Sequence, residues 1–244
     1  MNCIHCRARP TIKAHLIPQA FALEVRGNDT DHVILSKDGN FKPTKNGVFD
    51  RDILCAKCDG KLGENENFAF NALKSIRLLS RDKINQRFEI LEFDTDRFLR
   101  FCAGIIWKYS ITKKSLGRIE IGNYQQILEE ISFSNLDIGP ECDAFCVKLH
   151  TGDDEVYQYR APLTDRYGGI NFVRFSLGGF VVFFKIDKRN NASALHLDPA
   201  DWMRGRKSLV SLAVPFNMFE EGFSALSARS ENPALDKFLT KVAR

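Results

Sequence analysis

Hydrophobic and polar positions change rhythm twice along the chain. Through about residue 65 the pattern is polar and turn-rich. Within it, HVILSKDGNFKPTKNGVF (32–49) reads as a hairpin with Asp38-Gly39 as its turn. After Cys58 the spacing becomes helical, with Phe68, Ala72, Ile76 and Leu79 on one face. A second helix is sharper. Phe98, Phe101, Cys102, Ile105, Ile106 and Tyr109 line one stripe, and Asp94, Thr95 or Asp96 can cap it. A third starts at Asn123, with Tyr124, Ile127, Leu128 and Ile131 on its apolar side.

From about 143 to 187 the period drops to two. DAFCVKLH, EVYQYRA, INFVRFSL and GGFVVFFKI predict antiparallel strands joined by Gly and Asp turns, and SLVSLAVPF predicts a further strand. Two helices are expected to close the chain. One carries Phe216, Phe219, Phe223 and Leu226; the other begins at Asn232-Pro233, a cap followed by proline at the first helical position. No internal repeat or low-complexity segment is visible.

Composition changes this picture only modestly. The 244 residues suffice for one large domain or two small ones, and 44% hydrophobic with 27% charged is ordinary for a soluble globular protein. Twenty phenylalanines predict a sizeable aromatic core. The net charge of +4 permits contact with a polyanion without arguing for one. No apolar leader follows the start and no apolar run is long enough to span a bilayer. The expectation is a cytoplasmic protein in a reducing compartment, with no membrane partner. There the seven cysteines read as metal ligands or buried thiols, not disulfides.

Four of those cysteines carry the clearest chemistry. Cys3 and Cys6 form one C-x2-C pair; Cys55 and Cys58 form another, 48 residues on. A short turn holds each pair's sulfurs a few ångströms apart, and four thiolates suit one tetrahedral zinc ion. With its coordination shell filled by sulfur, such a zinc is structural. It would staple a segment with too few apolar residues for a core of its own. Cys102 reads as a core residue. Cys142 and Cys146 read as structural thiols.

C-x2-C, then a His-x-x-Pro element (His15 to Pro18), then L-C-x2-C opening a helix, resembles the HNH (His-Asn-His) endonucleases of the ββα-metal fold. The resemblance covers residues 3 to about 70. It implies a zinc-clamped unit in which His15 falls where the family has its general base. Asp50 falls where the family has the Asn that orients that histidine. Asp59 falls where the family has its last His or Asn, a metal ligand. Ala14 replaces the acidic residue that commonly precedes the first histidine, so a further metal ligand would have to come from Glu64 or Glu66. Magnesium or manganese held by these carboxylates would place positive charge on a phosphodiester while neutral His15 activates water. Each residue also has a plainer reading. His15 can bond a zinc thiolate or pack beside Pro18 and Phe21; Asp59 can cap the helix. Asp50 can end a hairpin, and Glu64 and Glu66 can favour a helix start.

The resulting expectation is an α+β fold. A zinc-clamped ββα-metal unit (1–80) precedes a domain (81–244) of central helices and an antiparallel sheet with two terminal helices. The expected activity is DNA cleavage by an HNH-like endonuclease, which the family context links to defence against phage or mobile DNA. The competing expectation is a non-catalytic zinc-stabilised module binding nucleic acid or protein, or a subunit active only with a protein partner bound through its C-terminal part. Candidate phosphate contacts are Arg7, Arg9 and Lys13 around His15, and Lys74, Arg77 and Arg81 at helical spacing after the last cysteine pair.

Overall fold

The computed structural model describes residues 1–35, 41–151, 158–190 and 198–218, together with Val156 and Pro233. The fold is α+β. Among the described residues it holds four α-helices and a six-stranded, mostly antiparallel sheet, with two small ribbons near the N-terminus. None of the described helices is long and apolar enough to cross a membrane.

The N-terminal third interleaves short strands with two helices. Strand β1 (Ala14–His15) leads into α1 (Gln19–Arg26). A hairpin follows, β2 (His32–Leu35) against β3 (Phe41–Thr44); its expected Asp38-Gly39 turn lies outside the described residues. Strand β4 (Phe49–Asp50) then returns antiparallel to β1, pairing Ala14 with Asp50 and His15 with Phe49. Helix α2 (Ala56–Leu79) begins six residues later. Its buried spine is Leu62, Ala69, Leu73 and Ile76, which shares only Ile76 with the expected stripe. Phe68 and Ala72 only flank the core, and Leu79 is 72% exposed.

Helix α3 (Thr95–Ile111) is the centre of the molecule. Asp94 caps it by accepting from the Arg97 amide at 3.0 Å. The predicted stripe is buried, but so is nearly every other position, because α2, α4 (Tyr124–Phe133) and the sheet enclose the helix. Burial on all sides explains why α3 is apolar well beyond one face.

The sheet runs β5-β10-β6-β9-β8-β7. Strands β6 (Cys142–His150), β8 (Ile170–Leu177), β9 (Phe180–Ile186) and β10 (Ser208–Pro215) form where expected, but they are buried along most of their length instead of on alternate residues. Edge strand β5 (Arg87–Leu91) is an addition, and β10 lies parallel to β6, unlike the other pairs. EVYQYRA falls partly outside the described residues, and the described strand β7 (Arg160–Tyr167) starts only at Arg160. Of the expected closing helices, Phe216 lies in a short 3-10 turn (Phe216–Met218) and Pro233 is helical; the remainder lies outside the described residues.

Gly178 and Gly179 make the two-residue β8–β9 turn, both at positive φ, as such a turn requires. A Cβ on Gly179 would meet Arg77 at 2.7 Å, and Arg77 Nη1 donates to the Gly178 carbonyl at 2.6 Å. One hydrophobic cluster runs from Cys3 to Ala213, across the boundary expected near residue 80. At its heart Phe98 is fully buried between Phe93 and Phe101. Phe98→Ala is expected to lower unfolding free energy by about 3–5 kcal/mol, measured by chemical denaturation of the metal-loaded protein.

Candidate functional site

The four predicted cysteines converge. The sulfurs of Cys3, Cys6, Cys55 and Cys58 lie within 4.8 Å of one another, and Cys6 and Cys55 Sγ are 3.5 Å apart. Pairing between the two segments brings them together. The Ile4 amide donates to the Ile53 carbonyl at 2.9 Å and the Ile12 amide to Leu54 at 2.8 Å, while Thr11 bridges Cys55. Backbone bonds from Arg7 to Cys3 and from Cys3 to Ala8 close the first turn, with Arg7 at φ 64. Cys55 is the residue capping α2, so both later sulfurs sit at a helix N-terminus, where negative charge is favoured. The Cys58 backbone N–H holds the Cys55 thiol down to about 7. Burial works upward on Cys3, but backbone and thiol hydrogen bonds outweigh it and the net direction is down. Burial drives Cys58 the other way, so without an ion the cluster shares protons unevenly. Four thiols at tetrahedral spacing can hold a metal such as zinc.

His5, between the first two ligands, is more than a surface residue. It stacks on Phe133 with centroids 3.9 Å apart, and its Nδ1 lies 2.7 Å from Glu129 Oε1. The metal turn is thereby clasped to α4.

Beside this centre, His15, Pro18, Gln19, Ala20, Asp59, Glu66 and Asn67 line an open cleft of about 220 Å³. Asp59 and Glu66 are seven apart on α2 and so share a face. His15 Nε2 is buried with no hydrogen-bond partner. Burial, then the charges of Lys13 and Lys108, hold His15 below the ordinary histidine value of 6.5, opposed by Glu66 and a bond to the Asn46 backbone. Burial raises Asp59; Lys108 pulls it down and Glu66 pushes it up.

Lys108 organises this cleft from behind. It is 1% exposed on α3, and its Nζ donates to the His15 carbonyl at 2.7 Å and to Glu66 Oε1 at 2.6 Å. Sequence reasoning missed it, although a lone lysine inside FCAGIIWKYSI was a visible signal.

Other expected residues land elsewhere. Strand alternation puts Asp50 on the opposite side of the ribbon from His15. It is 2% exposed, accepts from Thr112 Oγ1 at 2.7 Å and the Asp52 amide at 2.9 Å, and does not orient the imidazole. Glu64 is exposed and absent from the cleft lining; its carbonyl accepts from Arg97. Arg77, expected on a basic outer stripe, is instead 8% exposed and paired with Glu24. Lys74 and Arg81 are exposed on or just after α2, and Arg7 and Arg9 on the metal turn, with Arg9 bonded to Asn2. Lys13 is half-buried next to the cleft. Cys102, Cys142 and Cys146 are buried in the core, as expected. His32 bonds Tyr159 Oη at 3.0 Å, and His196 lies outside the described residues.

Comparisons of the chain with family models, curated proteins and solved structures return no match.

Purified protein is expected to contain about one metal ion per chain by elemental analysis, with Cys58→Ser losing it and melting at lower temperature. Acidification should release that ion, since thiols must be deprotonated to bind it. By NMR the His15 ring should titrate below 6.5. Lys108→Met should raise that value, because it removes a nearby cation and frees the Glu66 charge.

Proposed function

We propose that the chain is an HNH-like endonuclease hydrolysing phosphodiester bonds in DNA, with His15 as general base and a structural zinc in the four-cysteine centre. The observation that carries this reading is the placement of His15. It sits on the first strand of a ββα unit, its Nε2 without a partner, across a cleft from two carboxylates of the helix. That order matches what the HNH resemblance implies.

The chain's own groups divide the work. His15 Nε2, which has no hydrogen-bond partner, takes a proton from water. The resulting hydroxide forms a bond to phosphorus as the bond to the 3′ oxygen breaks, and that oxygen takes a proton from solvent. The products are a 5′-phosphate and a 3′-hydroxyl, as the resemblance implies. Lys108 holds the His15 backbone and Glu66 in place. Asp59 and the second Glu66 oxygen fit a partly hydrated magnesium or manganese ion, which uses one or two protein carboxylates. When bound, such an ion supplies positive charge to the phosphate and leaving oxygen. A role in defence against phage or mobile DNA extends the same reading.

A second reading has its own support. Glu66 is already paired with Lys108, and Nε2 is shielded from solvent. Both favour a zinc-stabilised module that binds nucleic acid or protein without cutting it, or a subunit completed by a partner.

Plasmid DNA with added magnesium or manganese separates these readings. His15→Ala is expected to slow cutting by at least ~100-fold while leaving the metal content and melting temperature of the protein unchanged. Equal cutting by both proteins would remove His15 from the chemistry. Absence of cutting by the folded wild type would favour the binding module.

A further inference from the structure

Phe49 faces His15 across the β1–β4 ribbon, with ring centroids 6.0 Å apart. Two cations lie over that same phenyl ring. Lys13 Nζ is 3.9 Å from its centroid and the Arg51 guanidinium 5.6 Å. Lys13 directly precedes Ala14 and Arg51 directly follows Asp50, which are paired residues. Like charges gathered on one ring repel.

No described carboxylate relieves them. The nearest acids in sequence are committed elsewhere: Asp50 is buried against Thr112, and Asp52 pairs with Lys113. Ring contact works against that repulsion but supplies no counter-charge. The arrangement gathers two cations on one ring that also meets the His15 imidazole, with no described carboxylate paired to either.

We propose that Lys13 and Arg51, seated on Phe49, form a clamp for one phosphate of a nucleic-acid backbone beside His15. This rests on the reading of the cleft given above and adds its substrate contact. An anion between the two cations removes their mutual repulsion and gains charge-assisted hydrogen bonds from both. Phe49 sets their height, so the phosphate lies next to the imidazole instead of anywhere along a mobile lysine. With two cations over it and the His15 ring at its edge, Phe49 acts as a seat for charge and not as a stacking platform for a base.

The test is titration of the full-length, metal-loaded protein with inorganic phosphate and, separately, a short DNA duplex, following the His15 ring signals by NMR. Both ligands should shift those signals. Lys13→Ser and Arg51→Ser should each weaken duplex binding roughly tenfold and lower the log–log salt slope by about 0.9. Phe49→Leu should weaken binding severalfold with no change of charge. Lys188→Ser, an exposed cation at the end of β9, should change nothing. Duplex binding unaltered in the Lys13→Ser/Arg51→Ser double variant, with the fold intact, would overturn the clamp. A shift by free phosphate but not by duplex would overturn the assignment to nucleic acid. The nuclease reading fails separately: clamp-dependent duplex binding without cleavage leaves the clamp standing and removes the catalysis. Cleavage that needs His15 but ignores both cations does the reverse.

Discussion

A buried ammonium must be surrounded by oxygen, and Lys108 meets that requirement with one backbone carbonyl and one carboxylate. The carbonyl belongs to His15 on the ribbon and the carboxylate to Glu66 on α2. Lys108 itself lies on α3, the helix enclosed by everything else. Three elements distant in sequence are thereby held at one point, and the cleft lies where they meet. The four cysteines act on the same unit from its other end, tying the first turn to the start of α2. Between these two anchors the ribbon needs only two residues per strand.

Much of the fold was legible because its strongest patterns are local. The α3 stripe, its Asp94 cap and the positions of β6, β8, β9 and β10 follow from apolar patterning and from turn residues. The cysteine pairs were equally plain, since their spacing expresses the ligand geometry directly. What stayed hidden depends on partners far along the chain. The parallel contact of β10 with β6 and the recruitment of β5 are decided by sheet assembly. The buried face of α2 shifted because Leu62 and Leu73 meet core residues that helical spacing cannot foresee.

The charged residues show the same limit more sharply. Lys74, Arg77 and Arg81 look alike in sequence, yet Arg77 is buried against Glu24 and the β8–β9 turn. Asp50 and Asp59 both looked like candidates for the site. Strand alternation turned one inward to Thr112 and a helix turned the other toward the cleft. Lys108, overlooked inside an apolar helix, had a fate that its surroundings in the sequence announced.

The hydrophobic cluster running unbroken from Cys3 to Ala213 has a thermodynamic consequence. An ion seated between the four sulfurs is a ligand of the whole folded chain, not of a detachable finger. By mass action its binding free energy adds to the stability of α3 and the sheet as much as to that of the metal turn. Cooperative unfolding then reports free metal activity: each tenfold rise above the dissociation constant deepens the native well by about 1.4 kcal/mol.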